Sequence, residues 1–132
     1  MGRRASIRRA EEERILAEHS DLQQAARHFI AVARRQAAPA ELAAHLGALQ
    51  QQLDAHFAYE EELMQRTDYP ERHAHHLLHE ACLGQFRAER EQLLLGKSRS
   101  LADYRQMMRT WIIDHLRGQD RRFEAFLAQF GS

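Results

Sequence analysis

HFAYEEELMQRTDYPERHAHHLLH, residues 56–79, places Glu60, Glu61, Glu62, Asp68 and Glu71 and five histidines among apolar positions. Read at steps of three and four, it divides at RTDYP (66–70) into two helices. On the first, His56 and Glu60 continue a stripe of Leu42, Leu46, Leu49 and Leu53 and lead on to Leu63. On the second, Arg72, His75 and His79 lead to Cys82, Phe86 and Leu93. Imidazoles and a carboxylate therefore stand where a helical core asks for Leu or Ile. Unpartnered groups of that kind are costly to bury, so something inside has to pair with them.

Working outward, the chain has two more turns. QAAPA (36–40) sets Pro39 at a helix start, and GKSRS (96–100) has Gly96 to close one helix and Ser100 with Asp103 to cap the next. The four segments between the turns run roughly 24 to 32 residues, the length of bundle helices. The first carries Ile15, His19, Leu22, Ala26, Phe29 and Ala33 on one face. The fourth begins Leu101, Tyr104, Met108, Ile112, His115. Such stripes, joined by short loops, specify an all-α, antiparallel up-down-up-down four-helix bundle. Residues 1–132 form one domain, with the basic residues 1–8 expected as a frayed or disordered arm.

After His115 the fourth stripe resumes as Leu116, Asp120, Phe123, Leu127, Phe130, one residue out of phase. His115 and Asp120 are about 140° apart on a regular helix. A single wide π-turn between them, eased by Gly118, would bring both inward.

Bulk composition limits the function. With 19 basic and 19 acidic residues the chain carries no formal net charge, which excludes the basic excess of a nucleic-acid binder. Cys82 is the only cysteine, so neither an internal disulfide nor a cysteine zinc cluster can form, and a reducing cytoplasm is the expected compartment. No apolar run reaches the length of a membrane span.

The inward polar set is His19, His56, His75, His79 and His115 with Glu60 and Asp120. Seven ligands exceed what one zinc takes and suit two metals of the imidazole-plus-carboxylate kind, with iron the leading choice. If both carboxylates and a solvent oxygen bridge, all but one position of two octahedral irons is filled. Dioxygen, small and neutral, can enter a dry pocket and take that position. No further carboxylate is expected on the seams, which favours binding over oxidation chemistry.

The motifs HF..EE..M (from His56), YP....H...H (from Tyr69) and W...H....D (from Trp111) resemble the bacteriohemerythrins, and His19 with Leu22 matches the family's first-helix ligand. The resemblance covers nearly the whole chain and implies a single hemerythrin-like domain. It also implies two iron ions bridged by Glu60, Asp120 and an oxo or hydroxo group, one held by His75, His79 and His115. The other, with the open position, would be held by His19 and His56. Leu22, Phe57, Trp111 and Ile112 would wall the oxygen pocket. Two departures stand out. SIRRAEEERILAEH reads as helix where the family often has a Trp-bearing arm, and Ile112 and Phe123 replace an expected Leu and Tyr.

Three roles share such a site. A carrier or store would supply an oxygen-using enzyme, with slow autoxidation. A sensor would pass the change to a fused or separate signalling domain, with fast autoxidation. A reductase would turn over peroxide or nitric oxide. Other metal classes fit less well. No histidine has Glu three residues before it, as the ferritin-like pattern requires. His75 is followed by His76 where a zincin needs Glu. His28, His45, His73 and His76 are expected in solvent, as are Glu61 and Glu62. Cys82 reads as a small core residue.

Overall fold

The computed structural model describes the backbone of residues 2–129 and the side chains of residues 9–129. All regular structure among them is helical. Helix α1 spans Gly2–Arg34, α2 Pro39–Arg66 and α3 Arg72–Leu94. The fourth helix, α4, runs over 101–129: an α-helical stretch Leu101–Met108, a π-helical one Arg109–Ile113, a second π-helical one Leu116–Asp120, and an α-helical end Arg121–Gln129. The four rods pack as a bundle, α1 against α2 and α4, and α2 against α3. No helix among the described residues is long and apolar enough to cross a membrane.

Each loop is set by the same local chemistry. At the end of α3, Gly96 adopts φ 81°, its N–H donates to the Leu93 carbonyl, and the Lys97 N–H donates to that of Gln92. This is a Schellman cap, which glycine enters without steric cost. Asp68 (φ 54°) after α2 and Gln36 (φ 59°) after α1 make the same pair of bonds, to Gln65 and Met64 and to Ala33 and Val32. Pro39 stands in the first turn of α2, and Ser100 Oγ accepts from the Asp103 N–H at 3.1 Å to cap α4. A left-handed β-carbon costs about 1 kcal/mol. Gln36→Gly is therefore expected to stabilise the protein by about that amount, read as a higher denaturation midpoint at unchanged slope.

The stripes bury as the sequence indicates for Ile15, His19, Leu22, Ala26 and Phe29 on α1 and for the whole α2 series from Leu42 to Leu63. Ala33 and Leu101 are only half-buried, and Arg72 is exposed and paired with Asp68. Phe130 lies outside the described residues. Glu89 on α3 is an unforeseen buried carboxylate. Arg99 Nε meets it at 2.6 Å, while the Arg99 N–H donates to the Tyr104 hydroxyl, tying the α3–α4 loop to the bundle.

The core is in two parts. One, around Phe29, Leu46, Phe86 and Tyr104, fills most of the bundle; the other comprises Ile15, Leu63, Met64, Tyr69, Phe123 and Leu127. The seven inward polar groups fall between them on every helix, His19 between Ile15 and Leu22, Asp120 between Leu116 and Phe123.

Candidate metal centre

Two π-helical stretches replace the single wide turn expected in α4. The one at Leu116–Asp120 absorbs the extra residue, so His115 and Asp120 both face inward. Gly118 has open space where a β-carbon would sit, so the widening does not depend on its small size. The other, Arg109–Ile113, has no forewarning in the stripe. Its Trp111 carbonyl accepts from the buried Cys82 thiol, Sγ to oxygen 3.7 Å.

All seven candidate ligands converge. Asp120 Oδ1 lies 3.1 Å from His75 Nε2 and 3.0 Å from His115 Nε2, and its Oδ2 lies 2.9 Å from His19 Nε2 and 3.3 Å from His56 Nε2. Glu60 is arranged alike: Oε1 is 3.6 Å from His75 Nε2 and 3.4 Å from His79 Nε2, and Oε2 is 3.4 Å from His56 Nε2 and 3.8 Å from His19 Nε2. Each carboxylate therefore turns one oxygen to His19 and His56 and the other to two of the remaining three rings, Asp120 to His75 and His115 and Glu60 to His75 and His79. Glu60 and Asp120 are fully buried.

These atoms satisfy one another only in part: Asp120 is hydrogen-bonded to His56 and His75. Both Glu60 oxygens and the Nε2 atoms of His19, His79 and His115 are buried without a hydrogen-bond partner, although His19 and His115 stand only 2.9 and 3.0 Å from Asp120. Short separation without hydrogen-bond direction means that the lone pairs aim at points between the residues. Two donors about 2.1 Å from one ion and at right angles stand about 3 Å apart, as here. The donors fall into two groups that share the carboxylates: Glu60, His75, His79, His115 and Asp120, and His19, His56, Glu60 and Asp120. The residues fit a carboxylate-bridged pair of metal ions.

Burial disfavours charge on the rings, yet Asp120 and Glu60 outweigh it, raising His19 and His75 to about 9 and His56 to about 11. Burial and mutual repulsion push Glu60 and Asp120 upward, but the surrounding imidazoles hold both well below the usual carboxylate range. The site thus keeps its carboxylates ionised, as a cation pair requires.

A ring of carboxylates faces the outer nitrogens. Glu124 stands 3.3 Å from His19 Nδ1 without a hydrogen bond, whereas His56 Nδ1–H donates to Glu18 at 2.7 Å and His79 Nδ1–H to Glu61 at 2.8 Å. Such partners fix the tautomer that leaves Nε2 free for metal. Glu61 is therefore not a solvated side chain, and His76, which also donates to it, is half-buried; Glu62 is exposed as expected. Glu18, Glu61 and Glu124 escape a sequence reading because they neighbour the seams rather than occupy them. Glu61→Gln is expected to weaken metal affinity about tenfold, measured by competition with a chelator.

Of the apolar residues assigned to the pocket, Leu22, Phe57 and Ile112 are buried and Trp111 is half-buried. The Phe57 ring stacks on His79, centroids 3.8 Å apart and planes 7° from parallel.

A bacteriohemerythrin of Stenotrophomonas maltophilia (strain R551-3) is 35% identical over 80 residues, covering 58% of this chain and 52% of the relative. Over that span the chain is similar to a bacteriohemerythrin. Its His/Glu/Asp cluster matches the di-iron ligand pattern of the hemerythrin family. The chain spans about half the length of the curated relative it matches. No protein-family model and no solved structure matches it.

Proposed function

We propose that this chain binds dioxygen reversibly at a non-haem di-iron centre, as a carrier or store. The reading is carried by the inequality of the two donor groups. Three imidazoles serve one metal position, two serve the other, and both carboxylates are shared. His75, His79 and His115 would hold one iron and His19 and His56 the other, with Glu60, Asp120 and an oxo or hydroxo group bridging. The second iron is thereby left a position that no protein atom takes. When bound, the iron pair supplies two electrons to dioxygen and recovers them on release.

The chain's own residues make that exchange reversible. Leu22, Phe57 and Ile112 keep water from the cluster, while Glu18 and Glu61 hold His56 and His79 in one orientation and Glu124 lies beside His19. Those carboxylates face the outer ring nitrogens. None is directed to the inner face, where a proton would promote O–O cleavage, and this supports binding over oxidation chemistry. A partner would be an oxygen-using enzyme that draws on the store.

Optical titration of the reduced, iron-loaded protein with oxygen tests the proposal. A charge-transfer band should grow with oxygen and vanish on deoxygenation through repeated cycles. Irreversible oxidation on first exposure, or steady turnover with peroxide and a donor, would sink it in favour of a sensor or a reductase. Ile112→Val should cost about 1 kcal/mol of stability and speed autoxidation severalfold by admitting water, with iron content unchanged. Iron loss on the scale of a ligand substitution would remove Ile112 from the pocket wall.

A further inference from the structure

On the surface of the bundle, α1 and α4 enclose an open groove of about 380 Å³. Its apolar lining comes from Ala26, Ile30 and Ala31 of α1 and Met108 and Ile113 of α4. Its rims are cationic: Arg27 and Arg34 lie two turns apart on α1, and Arg105 and Arg109 one turn apart on α4. All four are exposed, and among the described residues none meets a carboxylate. Other arginines are held in ion pairs within the protein. Arg14, Arg35, Arg66, Arg72 and Arg99 are each paired with Glu or Asp. In a chain of zero net charge, four free guanidinium groups along one apolar floor are a local excess that complements acidic groups from outside.

We propose that this groove docks an acidic amphipathic helix of a partner protein. Two cation rows on either side of an apolar strip match a helix with an apolar stripe flanked by carboxylates. The groove is open along its length, whereas a small-molecule site encloses most of its ligand. The seated helix would lie against Arg109, at the start of the π-helical stretch that carries Trp111 and Ile112, so the partner would sit directly over the wall of the metal site.

The probe is a labelled peptide of about four helical turns, with a leucine stripe flanked by glutamates, titrated by fluorescence anisotropy. Saturable binding is expected, weakening steeply as salt shortens the Debye length below about 10 Å. Arg27→Glu with Arg34→Glu should reduce affinity roughly tenfold or more, and Ala31→Trp, which fills the groove without changing charge, should reduce it comparably. Arg87→Glu, on the exposed side of α3, should leave it unchanged. The proposal is overturned if the double reversal has no effect, if Arg87→Glu weakens binding equally, or if a peptide with serines for leucines binds as well. It is also overturned if phosphatidylglycerol vesicles bind the protein while the peptide does not. Reversible dimerisation abolished by the double reversal would assign the groove to a second copy of the chain and overturn it likewise.

Discussion

Asp120→Asn is expected to empty both metal positions together. The side chain is fully buried, and its two oxygens face four imidazoles, His75 and His115 on one side and His19 and His56 on the other, all within 3.3 Å. Asparagine keeps the shape but removes one of two buried negative charges and offers an NH₂ group where an acceptor is needed. Metal content by elemental analysis should fall from two per chain to well under one. His115→Ala, which removes a ligand of one position only, should leave a larger remainder. Without metal, Asp120→Asn should also lose roughly 3 kcal/mol, because the rings it faces hold protons that it no longer balances. Retention of two metals in Asp120→Asn would show that Asp120 does not bridge.

Chelation of the metals is expected to produce the second large effect. The ligands come from all four helices, so removing the metals they would hold should cost about 5 kcal/mol or more, lowering Tm by roughly 20 °C for a chain of this size. The remaining stability should then depend on pH in a defined way. His19, His56 and His75 have folded values above the ordinary 6.5. Their contribution is complete below that value and is lost as pH rises through about 9 for His19 and His75 and about 11 for His56. Glu60 and Asp120 are lowered, so their contribution is complete above the ordinary 4.5 and 3.8 and fades as pH falls towards their depressed folded values. The metal-free chain should therefore be most stable between about pH 4.5 and 6.5, with stability falling on either side. Loading metal at neutral pH should release protons from the same three rings, countable with an indicator dye. Loading without proton release would mean that His19, His56 and His75 are not the groups displaced.

Much of this was legible because the sequence breaks its own rule. His19, His56, Glu60, His75 and His79 interrupt apolar stripes, and an interruption on the inner face of a helix needs a partner. The phase slip after His115 exposed the π-helical stretch at Leu116–Asp120 for the same reason, since a regular helix would have turned Asp120 away. The upstream stretch at Arg109–Ile113 left no slip, because Met108 and Ile112 keep an ordinary step across it. Gly96 and Ser100 announce their caps by residue type. Gln36 and Asp68 do not, although each takes the left-handed conformation in the same hydrogen-bonded cap. Glu18, Glu61 and Glu124 were illegible for another reason. A carboxylate beside a seam is ordinary helix surface until the neighbouring helix brings an imidazole nitrogen to it, as α1 and α2 do for Glu18 and His56. Glu89 belongs with them, its partner Arg99 lying in a loop.

The divided core makes the molecule resemble two small oil droplets fastened by a rivet. Ile15 and Phe123 at one end share little hydrocarbon with Phe29 and Tyr104 at the other; what joins them is a belt of imidazole and carboxylate. Strain introduced in one droplet therefore reaches the other mainly by tilting the rings of that belt, and repacking either end becomes a remote control on the ligand geometry between them.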